Sequence, residues 1–196
     1  LTDRQYDMLL SRVDADHLDR VSALYDSGRV GGMIVIGQWG HHDQLNELAR
    51  QRLPFVAWGA QLPNQLYCSV GGDNASGGQL ATEHLLGLGR KRIAFMGEKS
   101  LPEPEKRYAG YQKALRKAGM KIDSSLYIPS SFAPLSAQEA LRLHLDRHGL
   151  NFDALVAASD LIAISALGVL RERGYRVPED VSVVGYDDVE PAAHSF

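Results

Sequence analysis

Arg176-Val-Pro-Glu-Asp-Val-Ser-Val-Val-Gly-Tyr-Asp-Asp188 is the stretch that decides how this chain is read. A helix exit and a proline-marked turn lead into a largely apolar run at 181–184, the pattern of a buried parallel strand. Gly185 then releases the chain, and Asp187 and Asp188 stand at the strand's carboxyl end. In open α/β sheets ligands bind beyond the carboxyl ends of strands, so these carboxylates stand where a ligand would be.

Outward from that run, short apolar segments alternate with longer amphipathic ones along the 196 residues, which is the signature of βα units and a parallel sheet. The pattern predicts strands at 6–13, 32–36, 55–58, 67–70, 93–96, 126–128, 154–157 and 181–184. Helices are expected at 17–28, 43–52, 75–88, 105–118, 136–148 and 160–173. Gly28, Gly89, Gly119, Gly149 and Gly174 each follow a periodic apolar segment, where a left-handed helix exit favours glycine. Asp73, Ser136 with Glu139, and Ser159 are the expected helix caps. A composition shift at Gly97-Glu-Lys-Ser-Leu-Pro-Glu-Pro104 reads as a connection between two lobes, 1–98 and 99–196.

Composition narrows the function. The chain is 44% hydrophobic with a net charge of −3, so it has no general attraction for nucleic acid or an anionic membrane. Its single cysteine, Cys68, cannot form an intrachain disulfide, which fits a cytoplasmic setting, and no apolar run is long enough to span a bilayer.

Several motifs invite a chemistry that they do not support. Gly71-Gly-Asp-Asn-Ala-Ser-Gly-Gly78 lacks the Lys and Ser/Thr of a phosphate loop and reads as a tight turn into a helix capped by Asp73 or Asn74. His41-His42-Asp43 has no second ligand cluster, so no metal is expected. No nucleophile elbow or triad is present, so the chain is not expected to be an enzyme, and no cofactor is implied. Arg90-Lys91-Arg92 spans a helix exit and reads as a solvated turn.

Arg107 follows directly on the presumed lobe connection, where its planar fork can grip hydroxyls or a carboxylate; a surface arginine fits the sequence equally well. Trp39, just past the strand at 32–36, and Phe132, in the loop Pro129-Ser-Ser-Phe-Ala-Pro134, could stack on the apolar face of a sugar or simply pack.

Four blocks, VGGMIVIG (30–37), DNASGGQLATEHLLGLGRKRIAFMG (73–97), RYAGYQKALRKAGM (107–120) and ALVAASDLIAISALGVLRERGYRVPEDVSVVGYDD (154–188), resemble successive segments of the lactose repressor/galactose repressor (LacI/GalR) family of bacterial transcription regulators, in order and at the family's spacing. The resemblance implies two doubly wound parallel-sheet lobes of periplasmic-binding-protein type, with a ligand cleft between them. It also implies a sugar or nucleoside/purine effector, a homodimer, and operator DNA bound through a headpiece that this sequence does not contain. Arg107 and Asp187 hold the places of family effector contacts, and Phe132 that of a stacking aromatic. Ser159-Asp160 stands where relatives carry Asn-Asp. Compared with the family pattern, the first βα unit and the last crossover strands are missing, so the 196 residues are not expected to fold autonomously. A periplasmic sugar-binding protein of a transporter and a sugar-converting enzyme are the alternatives that share the fold.

Overall fold

The structure, a computed structural model, describes residues 6–12, 19–38 and 41–195. Its contacts divide the chain into two units, one up to Gly72 and one from Asp73 onward.

In the first unit, strands β1 (Met33–Ile36), β2 (Phe55–Trp58) and β3 (Cys68–Val70) form a parallel sheet in that order. Helices α1 (Asp19–Asp26) and α2 (His42–Arg50) supply the rest of the core, in which Val21, Leu45 and Leu48 join Phe55, Ala57 and Tyr67. The register puts Ile34, Ile36, Trp58 and Val70 on the opposite sheet face, where they are exposed among the described residues. The strand expected at 6–13 does not form over 6–12, and Val13 lies outside the described residues. Tyr6, Met8, Leu9 and Leu10 alternate only loosely and are exposed, and a strand without a neighbour to pair with gains nothing from apolar content.

The second unit holds a four-stranded parallel sheet of β4 (Ile93–Met96), β5 (Tyr127–Ile128), β6 (Ala154–Ala157) and β7 (Ser182–Val184), in the order β5-β4-β6-β7. All four residues of β4 and all four of β6 are buried, so each strand is covered on both faces. The helices are α3 (Asn74–Gly87), α4 (Pro102–Lys117), α5 (Pro134–His148) and α6 (Asp160–Glu172). From β4 the chain moves one way to β5, then crosses back to β6 and on to β7. Right-handed crossovers therefore put α4 on one face and α5 with α6 on the other. The observed packing of α3 on α4 and of α5 on α6 agrees.

This topology corrects the expected lobe boundary. The strand at 93–96 pairs with β5 and β6, so it and α3 belong to the second unit, and the division follows Gly72 rather than residue 98. Gly97–Pro104 is the turn from β4 into α4 within one unit. The composition shift there reflects a strand-to-helix turn with two prolines at a helix start, where a missing amide donor does no harm.

The helix exits are as expected: Gly28, Gly89, Gly119, Gly149 and Gly174 all have left-handed φ, from 62° to 83°. Asp73 caps α3 by accepting from Ser76 N, and Ser159 caps α6 by accepting from Ile162 N. Ser136 does not cap α5, which starts two residues earlier at Pro134, a residue whose fixed φ suits the first helical position.

Gly77 and Gly78 lie in the first turns of α3, inside the helix expected at 75–88. A Cβ on Gly78 would stand 2.1 Å from the Arg107 carbonyl oxygen, and one on Gly110 of α4 would stand 2.0 Å from the Ala75 carbonyl oxygen. These helices meet backbone to backbone, and only glycine fits. Gly110→Ala is expected to lower stability by about 1–3 kcal/mol, the usual cost of overpacking. Gly168→Ala, on the exposed face of α6 with open space around it, is expected to be stabilising by about 0.5–1 kcal/mol. Urea midpoints of the two variants check the contrast, and equal effects would show that α3 and α4 can slide apart at little cost.

Candidate functional site

The second sheet reverses its strand order between β4 and β6, and the crevice beyond the carboxyl ends at such a reversal is where α/β sheets bind ligands. The groups that converge there come from four stretches of sequence. Arg107 sits in the second turn of α4, directly after β4, and is only 8% exposed. Its Nε donates to Asn74 Oδ1 at 2.8 Å, and its Nη1 donates to the Ala158 carbonyl, the first residue beyond β6. The guanidinium carbon lies over the Tyr186 ring, 3.6 Å from its centroid, and Nη2 is 3.5 Å from Asp187 Oδ1. Tyr186 in turn backs onto Gly77, where a Cβ would come within 2.5 Å of the ring.

The Arg107–Asp187 pair is lopsided. The guanidinium is inside, whereas the carboxylate side chain is 42% exposed. Partial burial pushes the Asp187 carboxyl above its usual range. Arg107 opposes that shift, and the neighbouring Asp160 charge adds to it. Asp187 and Asp188 also have left-handed φ, 105° and 56°. Conformations of this kind cost about 1–3 kcal/mol each for residues other than glycine and persist only where surrounding contacts over-determine them.

Those contacts come from the start of α6. Asp160 N donates to the Tyr186 carbonyl and Asp160 Oδ2 accepts from Val189 N, both at 2.8 Å. Asp160 Oδ1 lies so close to Gly185 that a Cβ there would stand 2.1 Å away. Of the residues expected to form the site, Arg107 and Asp187 are joined directly. Asp160 and Ser159 adjoin them but are buried, with the Ser159 hydroxyl turned to its own helix and the Asp160 carboxylate to the 185–189 loop. Phe132 is half-buried against the core beyond the carboxyl end of β5. Trp39 lies outside the described residues.

Sequence reasoning missed Asn74 and Tyr186 as partners of Arg107. Tyr186 carried a readable signal, being the first aromatic off the strand beside the expected carboxylate. Asn74 was hidden because its only visible role was as an alternative helix cap, which Asp73 fills. The basic cluster has structural work: Arg90 donates to the Pro178 and Glu179 carbonyls, and Arg92 to the Asn151 carbonyl. His42 bonds the Tyr67 hydroxyl and the Pro63 carbonyl, both at 3.0 Å.

A separate concavity of about 390 Å³ runs along β7 and contains neither Arg107 nor Asp187. Its lining includes Leu85, Leu88, Ile164, Leu167 and Val183, while Asp160 and Arg171 are already engaged with Val189 N and the Ser195 carbonyl. The Arg107–Asp187 pair lies instead at the topological switch of the sheet. No helix among the described residues is long and apolar enough to cross a membrane.

Residues 82–196 match the periplasmic binding protein-like domain family. Over 200 aligned residues, the chain is 36% identical to the HTH-type transcriptional regulator CelR of Thermobifida fusca, a match that covers all of this chain and 58% of that protein. The chain belongs to the lactose/galactose repressor family. It is also 34% identical to the HTH-type transcriptional repressor PurR of Haemophilus influenzae, over 82% of this chain and 48% of that protein. It therefore spans about half of these relatives' lengths. Among solved structures, a CelR–cellobiose complex superposes with a TM-score of 0.84 at 34% identity, over 98% of this chain and 60% of that one. A sugar-binding LacI-family regulator from Escherichia coli, complexed with phosphate, gives 0.84 at 28% identity, over 98% and 70%.

The raised Asp187 carboxyl has a defined sign. The folded family member holds this proton to higher pH than the unfolded chain does, so the site's contribution to stability is lost as pH rises above the ordinary 3.8. Asp187→Asn, which keeps an oxygen for Arg107 but carries no charge, is expected to melt higher than the wild type at pH 7. That advantage should shrink as pH falls toward 3.8. Melting curves of both proteins across this range check it, and a variant less stable at neutral pH would show that the Arg107 attraction outweighs the burial.

Proposed function

We propose that this chain is the effector-binding and dimerisation part of a cytoplasmic bacterial transcription regulator, a repressor that works as a homodimer. The carrying observation is the buried Arg107 holding Asp187 at the carboxyl edge of the β4/β6 switch. Its Nη2 hydrogens can donate to a hydroxyl oxygen, and the half-exposed Asp187 carboxylate can accept from the next hydroxyl. Together the pair is electrically neutral, which suits a neutral polyol better than a free anion. We therefore take a mono- or disaccharide as the effector, with Phe132 as the stacking surface beyond β5. The CelR relative captured with cellobiose supports a sugar of this size.

The regulatory step is a coupling between two sites. The sugar acts through its different affinity for two arrangements of the protein, and by linkage operator DNA changes sugar affinity by the same factor. A helix-turn-helix, as named in the relatives, would meet a palindromic operator through the homodimer's two-fold axis. The transporter and enzyme alternatives lose ground because those relatives are named as transcriptional regulators.

Thermal-shift screening of the intact protein against cellobiose and other mono- and disaccharides tests this reading. A sugar at a hundred times its Kd is expected to add about 2.7 kcal/mol to stability. Arg107→Ala should abolish the shift, and the same sugar should change the mobility of the protein on DNA from its own promoter. A hit bound equally well by Arg107→Ala would overturn the site. Turnover of the sugar would overturn the function.

A further inference from the structure

We infer that Asp160 is a positioning residue, which holds the 185–189 loop so that Tyr186 lies against Arg107 and Asp187 faces the ligand side, and that it sets effector affinity without touching the effector. For its effect on binding, this inference rests on the proposed roles of Arg107 and Asp187; its geometric part stands by itself.

Three contacts carry it. The Asp160 amide donates to the Tyr186 carbonyl, the Asp160 carboxylate accepts from Val189 N, and its other oxygen takes up the space where a Cβ on Gly185 would stand, 2.1 Å from it. The loop is thereby gripped at its entry, its middle and its exit by one residue that is only 6% exposed. Between the grips lie Asp187 and Asp188, both with left-handed φ, a shape the loop would not keep unaided. Tyr186 is the link to the other half of the site, because the Arg107 guanidinium lies on its ring while Asn74 and Ala158 fix the guanidinium edge. Gly77 lies against the ring, where a Cβ would come within 2.5 Å of it. The carboxylate is needed as an acceptor rather than as a charge, since what it receives is a backbone N–H.

NMR of the intact protein tests the geometry without any ligand. The Arg107 side-chain protons beside the Tyr186 face are expected to carry an upfield ring-current shift, identified by its absence in Arg107→Lys and in Tyr186→Leu. Asp160→Ala is expected to lose the shift, and Asp160→Asn, which keeps an oxygen acceptor, to retain it. Gly185→Ala presses on the same carboxylate from the other side and is expected to lose the shift too, so it provides the reading if Asp160→Ala does not fold. With a sugar found by thermal-shift screening, Asp160→Ala should bind about tenfold more weakly or worse, as for loss of a hydrogen bond to a charged group, while Asp160→Asn stays close to wild type. An unchanged ring-current shift in both Asp160→Ala and Gly185→Ala would overturn the inference. So would equal loss of sugar binding in the Asn and Ala variants with the shift intact in both, since that marks a direct contact. If no sugar binds, the proposed function fails while the NMR comparison still decides the geometry.

Discussion

A guanidinium can be taken out of water only where its donors are met and its charge is answered, and Arg107, 8% exposed, meets that condition with groups from three other parts of the chain. Asn74 comes from the start of α3, the Ala158 carbonyl from the end of β6, and Tyr186 and Asp187 from the exit of β7. Each of those places is fixed by packing elsewhere. Asn74 reaches Arg107 because Gly78 and Gly110 let α3 and α4 touch through their backbones. Ala158 reaches it because β6 lies beside β4, and the Ala158 amide is tied to the Met96 carbonyl at 2.8 Å. The core of the second unit and its candidate site are therefore one constraint, seen from inside and from the rim.

The balance of forces explains why arginine is required there. Its fork serves Asn74, Ala158 and Asp187 in three directions while its carbon lies over the Tyr186 ring, a combination that lysine's single ammonium cannot reproduce. A buried charge that loses a partner costs about 3–5 kcal/mol, so each contact is worth more as a safeguard against an unpaired charge than as an added attraction. Asp187 is the exception. It is the half-exposed member, and its carboxyl is pushed up rather than down, so the structure tolerates its charge instead of drawing stability from it.

How far the sequence reveals this depends on the range of the interaction concerned. The strands at 93–96 and 154–157 fall where the apolar runs place them, because burial on both faces leaves a continuous signal. The glycine helix exits and the Asp73 and Ser159 caps are legible for the same reason, being decided within a few residues. The lobe boundary is not, since a strand's membership of a sheet is decided by partners about 30–60 residues away, such as β5 and β6 for β4. Gly77 and Gly78 mislead in a related way. Their place in a helix is legible, but a glycine run inside a helix looks like a weakness, and only the arrival of α4 shows that Gly78 clears room for a second backbone. Arg107 and Asp187 were legible as candidates, each from its strand or helix end, but their common contact through Tyr186 was not.

The start of α6 shows how local and distant demands are met by the same atoms. The first amides of a helix have no acceptor within it. Ser159 answers one of them with its hydroxyl at Ile162 N. The amide of Asp160, the first helical residue, is left over and goes to the Tyr186 carbonyl, so an ordinary deficiency of helix ends becomes the anchor of the β7 exit. The side chain of the same residue then closes on Val189 N, and Gly185 must stay bare to let it in. The run that opens the reading of this chain thus ends in Gly-Tyr-Asp-Asp for three separate reasons. Glycine admits the Asp160 carboxylate, tyrosine supports the buried guanidinium, and the first aspartate presents a charge that the surrounding packing would rather do without.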